Sequence, residues 1–205
     1  MKLSMLCAIG SLVLFGVAQA GDLRVTVNTP SGAPVQNAVV SVYPADGEAA
    51  VRPSPETLVM SQKDIAFSPY VLVVPVGSAV EFPNRDNVRH HVYSFSPPHR
   101  FELRLYGKEE KRVETFDKPG IVALGCNIHD KMAGFIDVVD TRFAAKTDAQ
   151  GVAVITGLPA GALKITTWHP LSKAAGGVVE TSVAGGSSAS VVVDLRAPPP
   201  HKQTN

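Results

Sequence analysis

Apolar and polar positions alternate along most of this chain in short runs, the two-residue period of strands. No segment beyond residue 20 sustains a helical period. Leu23, Val25 and Val27 interleave with Arg24, Thr26 and Asn28. The same pattern predicts strands at 71–76, 79–82, 92–95, 101–106, 113–116, 121–124 and 135–139, then at 152–155, 163–168, 178–183 and 191–195. Gly, Pro and Asx residues punctuate these runs, as in sandwiches and barrels, so the predicted class is all-β. The mixed-sign cluster Lys108-Glu109-Glu110-Lys111-Arg112 reads as a solvated hairpin turn.

Residues 1–20 read as a cleaved export signal. Lys2 is a minimal basic start, Leu12 to Val17 is apolar, and Ala18-Gln19-Ala20 is a small-residue cleavage site. An uncleaved anchor is the alternative; Cys7 lies too early to be a lipid-bearing cysteine. Residues 198–205 have nothing to bury and read as a disordered tail. Between them, 55–139 holds enough strands for a small sandwich, while 21–54 and 140–197 are too short to fold alone. The flanks look like halves of one module. Ser31-Gly32-Ala33-Pro34-Val35-Gln36-Asn37-Ala38-Val39-Val40 is a turn plus strand, and Thr147-Asp148-Ala149-Gln150-Gly151 and Gly157-Leu158-Pro159-Ala160-Gly161 flank another strand. Together they resemble the carboxypeptidase-regulatory-like, transthyretin-like β-sandwiches. That resemblance implies that 55–139 is inserted into a second sandwich, which is physically tolerable at an exposed turn.

Charge excludes more than it suggests. With 19 basic and 18 acidic residues and no basic stripe, nucleic acid is not an expected partner. No other run approaches a membrane span, so no stable membrane insertion is expected after cleavage and the mature protein should be periplasmic. Cleavage also removes Cys7 and leaves Cys126 alone. An exported protein normally uses cysteines in pairs, and a lone thiol invites oxidation unless something occupies it.

Cys126 opens the run Cys126-Asn127-Ile128-His129-Asp130-Lys131-Met132, which puts a thiolate, an imidazole and a thioether on one loop. Two imidazoles, one thiolate and a weak axial thioether form the ligand set of blue-copper sites. A three-residue offset lets Cys126 and His129 point inward together. A second imidazole must come from elsewhere, and His90 and His91 are both candidates. Adjacent residues beside a strand face opposite ways, so only one of them can bind.

Val80-Glu81-Phe82-Pro83-Asn84, His90-His91-Val92 and Cys126-x-x-His129-x-x-Met132-x-Gly134-x-Ile136-x-Val138 together resemble the cupredoxins, the type 1 blue copper proteins. The short ligand loop is similar to that of the amicyanins among them; plastocyanins have a longer one. The strings His90-His91-Val92-Tyr93-Ser94-Phe95-Ser96 and Leu124-Gly125-Cys126-Asn127-Ile128-His129-Asp130 also resemble cupredoxin-like proteins labelled methylamine utilization protein. This likeness runs from about Met60 through Trp168. It implies a Greek-key β-sandwich holding one copper ion on His90, Cys126, His129 and Met132. It places Asn84 and Asn127 beside those ligands, with Asn84 tying the His90 loop to the Cys126 loop by a hydrogen bond. It departs from the family before the cysteine, where Val122 and Leu124 replace common aromatics.

The expected function is outer-sphere electron transfer between transient redox protein partners, cycling Cu(I) and Cu(II). No acid, base or nucleophile set accompanies the ligands, so no catalysis is expected. The alternatives are a copper carrier or storage protein, a structural or carbohydrate-binding envelope protein, and a zinc site on the same cysteine and histidines.

Overall fold

The computed structural model describes residues 21–45, 47 and 51–197. The signal segment expected at 1–20 and the tail expected at 198–205 lie outside the described residues. The chain is all-β. It begins with β1 (Gly21–Asn28) and β2 (Val39–Pro44). Ten strands follow: β3 (Leu58–Val59), β4 (Ser61–Lys63), β5 (Ala66–Ser68), β6 (Val71–Pro75), β7 (Ser78–Glu81), β8 (His90–Ser94), β9 (Phe101–Tyr106), β10 (Val113–Phe116), β11 (Gly120–Cys126) and β12 (Ala133–Val139). The last five are β13 (Ala144–Lys146), β14 (Val152–Leu158), β15 (Leu163–Trp168), β16 (Val178–Val183) and β17 (Ser188–Val192). Among the described residues, no helix is long and apolar enough to cross a membrane.

The strands sort into sheets by chain region. β14-β1-β17 and β13-β2-β15-β16 are built only from the two flanks. They enclose one core that includes Leu23, Val25, Val27, Val40, Val42, Ile155, Ile165 and Val191. The sheets β6-β12-β11-β8-β9 and β10-β7-β3 are built only from the central stretch. Their core includes Val74, Phe82, Val92, Phe116, Val122, Leu124, Ile136 and, at one end, Cys126 and Met132. The two-residue period explains the division of each strand. In β12, Ile136 and Val138 face this inner core, whereas Phe135 and Val139 turn outward against Val39 and Trp168 of the flanking sandwich. A third apolar cluster therefore joins the two sandwiches.

One turn is held by side-chain chemistry and a close approach of β1. In the turn after β13, Asp148 Oδ1 accepts hydrogen bonds from the N–H groups of Gln150 and Val152, both at 2.9 Å. Gly151 there has φ +73°, and a Cβ would lie 2.5 Å from the Val27 carbonyl oxygen. Only glycine fits both the left-handed backbone and the close approach of β1.

Two sequence expectations are corrected, and four short strands go beyond the pattern. The 108–112 cluster is not a hairpin turn, because β9 and β10 belong to different sheets and the segment passes from one to the other. Arg112 there lies over the Tyr106 ring, 5.5 Å from its centroid. β17 is Ser188–Val192 rather than 191–195. Ser188 to Ser190 have little to bury, yet they pair in parallel with β1 through their backbone. The short strands β3, β4, β5 and β13 carry too few alternations to register as a pattern.

Candidate metal centre

β8 and β11 are neighbours, with Cys126 opposite Val92. On β8 the alternation sends His90, Val92 and Ser94 inward, all buried, and turns His91 and Tyr93 to the outer face. This resolves the choice between the adjacent histidines. His90 is completely buried and its Nδ1 stands 3.7 Å from Cys126 Sγ. His91 instead pairs with Glu102 through Nε2 at 2.9 Å.

The loop after Cys126 curls by two successive turns. His129 N–H donates to the Cys126 carbonyl at 3.4 Å, and Met132 N–H donates to the His129 carbonyl at 2.9 Å. Each turn brings residue i+3 back over residue i. His129 Nδ1 therefore sits 3.5 Å from Cys126 Sγ, and Met132 is buried in the same core as the thiol. The two imidazole rings lie 5.0 Å apart, inclined at 55°.

Donor atoms of His90, Cys126 and His129 all lie within 4.8 Å of one another. An ion held at about 2.3 Å from sulfur and about 2.0 Å from nitrogen implies S···N separations of roughly 3.5 Å at tetrahedral angles and roughly 3.7 Å at trigonal ones. The two observed separations match these values, so the residues fit a single metal ion. Distances alone suit zinc or copper; the buried thioether beside them adds a soft donor that favours copper.

Asp86 had no role in the sequence reading. Its Oδ2 lies 2.8 Å from His90 Nε2, on the side of the ring away from Cys126. Its two oxygens also accept the N–H groups of Asp64 at 2.7 Å and Ile65 at 3.0 Å, from the turn between β4 and β5. Burial works to raise the Asp86 carboxyl, but the N–H groups of Ile65 and Asp64 and the His90 ring outweigh it and hold it below the usual value. A carboxylate there orients the imidazole and fixes which nitrogen faces the metal. The sequence signal was present in Asp86-x-x-x-His90, but its partner backbone groups lie on a separate hairpin.

Asn84 takes a different part from the one expected. Its Nδ2 donates to the carbonyls of Val88 at 2.8 Å and Tyr106 at 3.1 Å, and its Oδ1 accepts the Asp86 N–H at 2.9 Å. Both amide hydrogens are thereby spent shaping the 84–90 loop against β9. The link between the two ligand loops runs from Asn127 N–H to the His91 carbonyl, at 3.1 Å.

The surroundings close the site on one side and open it on another. Tyr93 lies across Gly125, where an added Cβ would come within 2.7 Å of the ring. Tyr93 also packs on Phe95, which is highly exposed, with centroids 5.0 Å apart. An aromatic pair thus lies on the outer face beside the cysteine strand, supplied by β8 rather than by the residues preceding Cys126. His129 is half-buried and Ile128 beside it is 49% exposed.

The chain matches no protein-family model and no curated protein sequence. It is similar in structure to the Cu-containing nitrite reductase of Thermus scotoductus SA-01, with 31% identity over 43% of this chain and a TM-score of 0.41. The match spans 23% of that protein, less than a quarter of its length. It is also similar to a purple cupredoxin from Nitrosopumilus maritimus, with 20% identity over 41% of this chain and 100% of that one, TM-score 0.36. A reduced amicyanin variant aligns with 23% identity over 50% of this chain and 99% of its own, TM-score 0.38.

Proposed function

We propose that the chain is an exported, periplasmic, cupredoxin-type protein. In this reading His90, Cys126, His129 and Met132 hold one copper ion, and the protein carries single electrons between redox proteins. The observation that carries the reading is the convergence of two imidazole nitrogens on one thiol, 3.5 and 3.7 Å away, with a buried methionine from the same loop. Copper held on this set would accept and release one electron, with its potential set by the thioether and the surroundings of the sulfur.

The protein's own residues keep that exchange free of rearrangement. Cys126 is fixed by its place in β11, His90 by β8 and the Asp86 carboxylate, and His129 and Met132 by the two turns. The donors already stand at ligand spacing, so little movement accompanies binding or a change of charge. Electron exit is assigned to His129, the half-buried ligand. Ile128 beside it is exposed and supplies apolar surface of the kind that transient redox encounters use. No catalytic step is assigned.

The test is to load the purified protein with Cu(II) and record visible absorption and electron paramagnetic resonance, with Cys126→Ser as control. An intense thiolate-to-copper band present only in the wild type supports the reading. A folded, metal-loaded, colourless wild type replaces it with the zinc reading. A copper carrier is the second reading, favoured by an opening of about 310 Å³ lined by Cys126, Asp130 and Met132. Rapid release of Cu(I) to a chelating acceptor, with slow electron self-exchange, would select the carrier.

A further inference from the structure

The junction between the two sandwiches holds an open pocket of about 290 Å³ lined by Ser41, Tyr43, Asp137, Asp140, Thr166 and Trp168, among others. Asp137 projects from the outer face of β12, 9% exposed, among the apolar residues that join the sandwiches. Among the described residues its carboxylate accepts no hydrogen bond. A carboxylate this deeply set without a protein partner is costly unless water, a proton or a cation meets it, and a cation does so most strongly.

The groups facing it are hard oxygens. Tyr43 on β2 donates its hydroxyl hydrogen to Asp140 Oδ1 at 2.8 Å. Thr166 on β15 lines the same pocket as Tyr43. Burial first, and then both carboxylates, push the Tyr43 phenol up, which places Asp137 and Asp140 within electrostatic range of the same hydroxyl. Burial and then the negative charge of Asp140 likewise raise Asp137.

We propose that this junction is a binding site for one divalent hard cation, calcium, held by the carboxylates of Asp137 and Asp140 with hydroxyl oxygens of Ser41, Tyr43 and Thr166 around it. Calcium takes six to eight oxygen ligands in flexible arrangements and suits a hydroxyl- and carboxylate-lined cavity that also admits water. Sulfur and imidazole are absent from the lining, so copper has no soft donor there. Asp137 belongs to the inner sandwich, while Ser41, Tyr43 and Thr166 belong to the flanking one. The ion would therefore clamp one sandwich to the other.

The experiment uses the full mature chain, free of copper and stripped with a chelator. Calcium is titrated in by calorimetry, thermal unfolding is followed with and without calcium, and terbium(III) serves as a luminescent probe excited through Tyr43 and Trp168. The expected result is one saturable site, filled by about 10 mM calcium as in weak extracellular modules. Ligand linkage should raise the melting temperature. Asp137→Asn and Asp140→Asn should each weaken binding at least about tenfold, while Cys126→Ser should leave it unchanged. No saturable binding at that concentration, or equal affinity in both Asn variants and wild type, would overturn the proposal. Because Cys126 plays no part, its outcome is independent of the copper reading.

Discussion

Asp86 and His90 are joined at 2.8 Å through Nε2, leaving Nδ1 of the same ring facing Cys126 Sγ at 3.7 Å. The carboxylate thus settles the orientation of a ligand that it does not itself replace. Its own position depends on backbone N–H groups from the β4–β5 turn. Removing it should leave all metal donors in place and still weaken binding. Asp86→Ala is expected to lower copper affinity by roughly 10–100-fold, with the charge-transfer band retained at saturation. Competition with a copper chelator measures this; unchanged affinity would show that packing alone holds the ring.

Gly125 makes a steric prediction. A Cβ there would meet Tyr93 Cζ at 2.7 Å and its hydroxyl oxygen at 2.8 Å, on the strand that carries Cys126. Gly125→Ala should destabilise the protein by about 1–3 kcal/mol, the usual cost of overpacking. Combining it with Tyr93→Ala should recover part of that loss, since the obstructing ring is gone. Urea unfolding of the two variants and of Tyr93→Ala alone provides the comparison, and strictly additive losses would count against it.

Tyr106 is buried on β9, and its hydroxyl lies 2.6 Å from Gln62 Oε1 and 2.9 Å from the Phe82 carbonyl. Gln62 is itself completely buried. Tyr106→Phe would leave the amide oxygen without a donor, at a cost of about 1–3 kcal/mol. The double substitution Tyr106→Phe with Gln62→Leu should cost less than the two single changes added together. Chemical denaturation of all four proteins tests that coupling.

Asp137 governs the pH dependence in the presence of chelator. Burial and then the charge of Asp140 raise its carboxyl from 3.8 to about 7. Between those values the folded protein holds a proton that the unfolded chain has released. Stability is therefore fully present below the lower value, declines as pH rises and has lost this contribution above about 7. At about 1.4 kcal/mol per pKa unit, the loss amounts to a few kcal/mol. Asp137→Asn should flatten the profile and be the more stable protein at pH 8. Parallel slopes for the two proteins between pH 5 and pH 8 would refute this.

Strands with several alternations were legible in the sequence. Phe101–Tyr106, Val113–Phe116, Leu163–Trp168 and Val178–Val183 occupy the segments that the pattern marked. Cys126, His129 and Met132 were legible because one short loop carries all three, and backbone turns suffice to bring them together. The choice between His90 and His91 depended on which face of β8 each occupies, which no local pattern determines. Asp86 was illegible for a related reason: a carboxylate becomes an orienting group only when the β4–β5 turn comes alongside. The outward Asp137 looks like an ordinary polar position in an alternating strand until a second sandwich covers it.

β2 and β13 pair directly, Ser41 opposite Ala144, although the entire central sandwich lies between them in sequence. Joining them before that sandwich folds means closing a loop of about 100 residues, an entropic cost of roughly 4 kcal/mol. Once the sandwich has formed, its two ends are held close and most of that cost has already been met. Loop closure therefore favours an order from the inside outward, in which the stretch that carries Cys126 folds first and the flanks assemble on its ends. A lesion in the inner core would therefore delay the outer strands that never touch it.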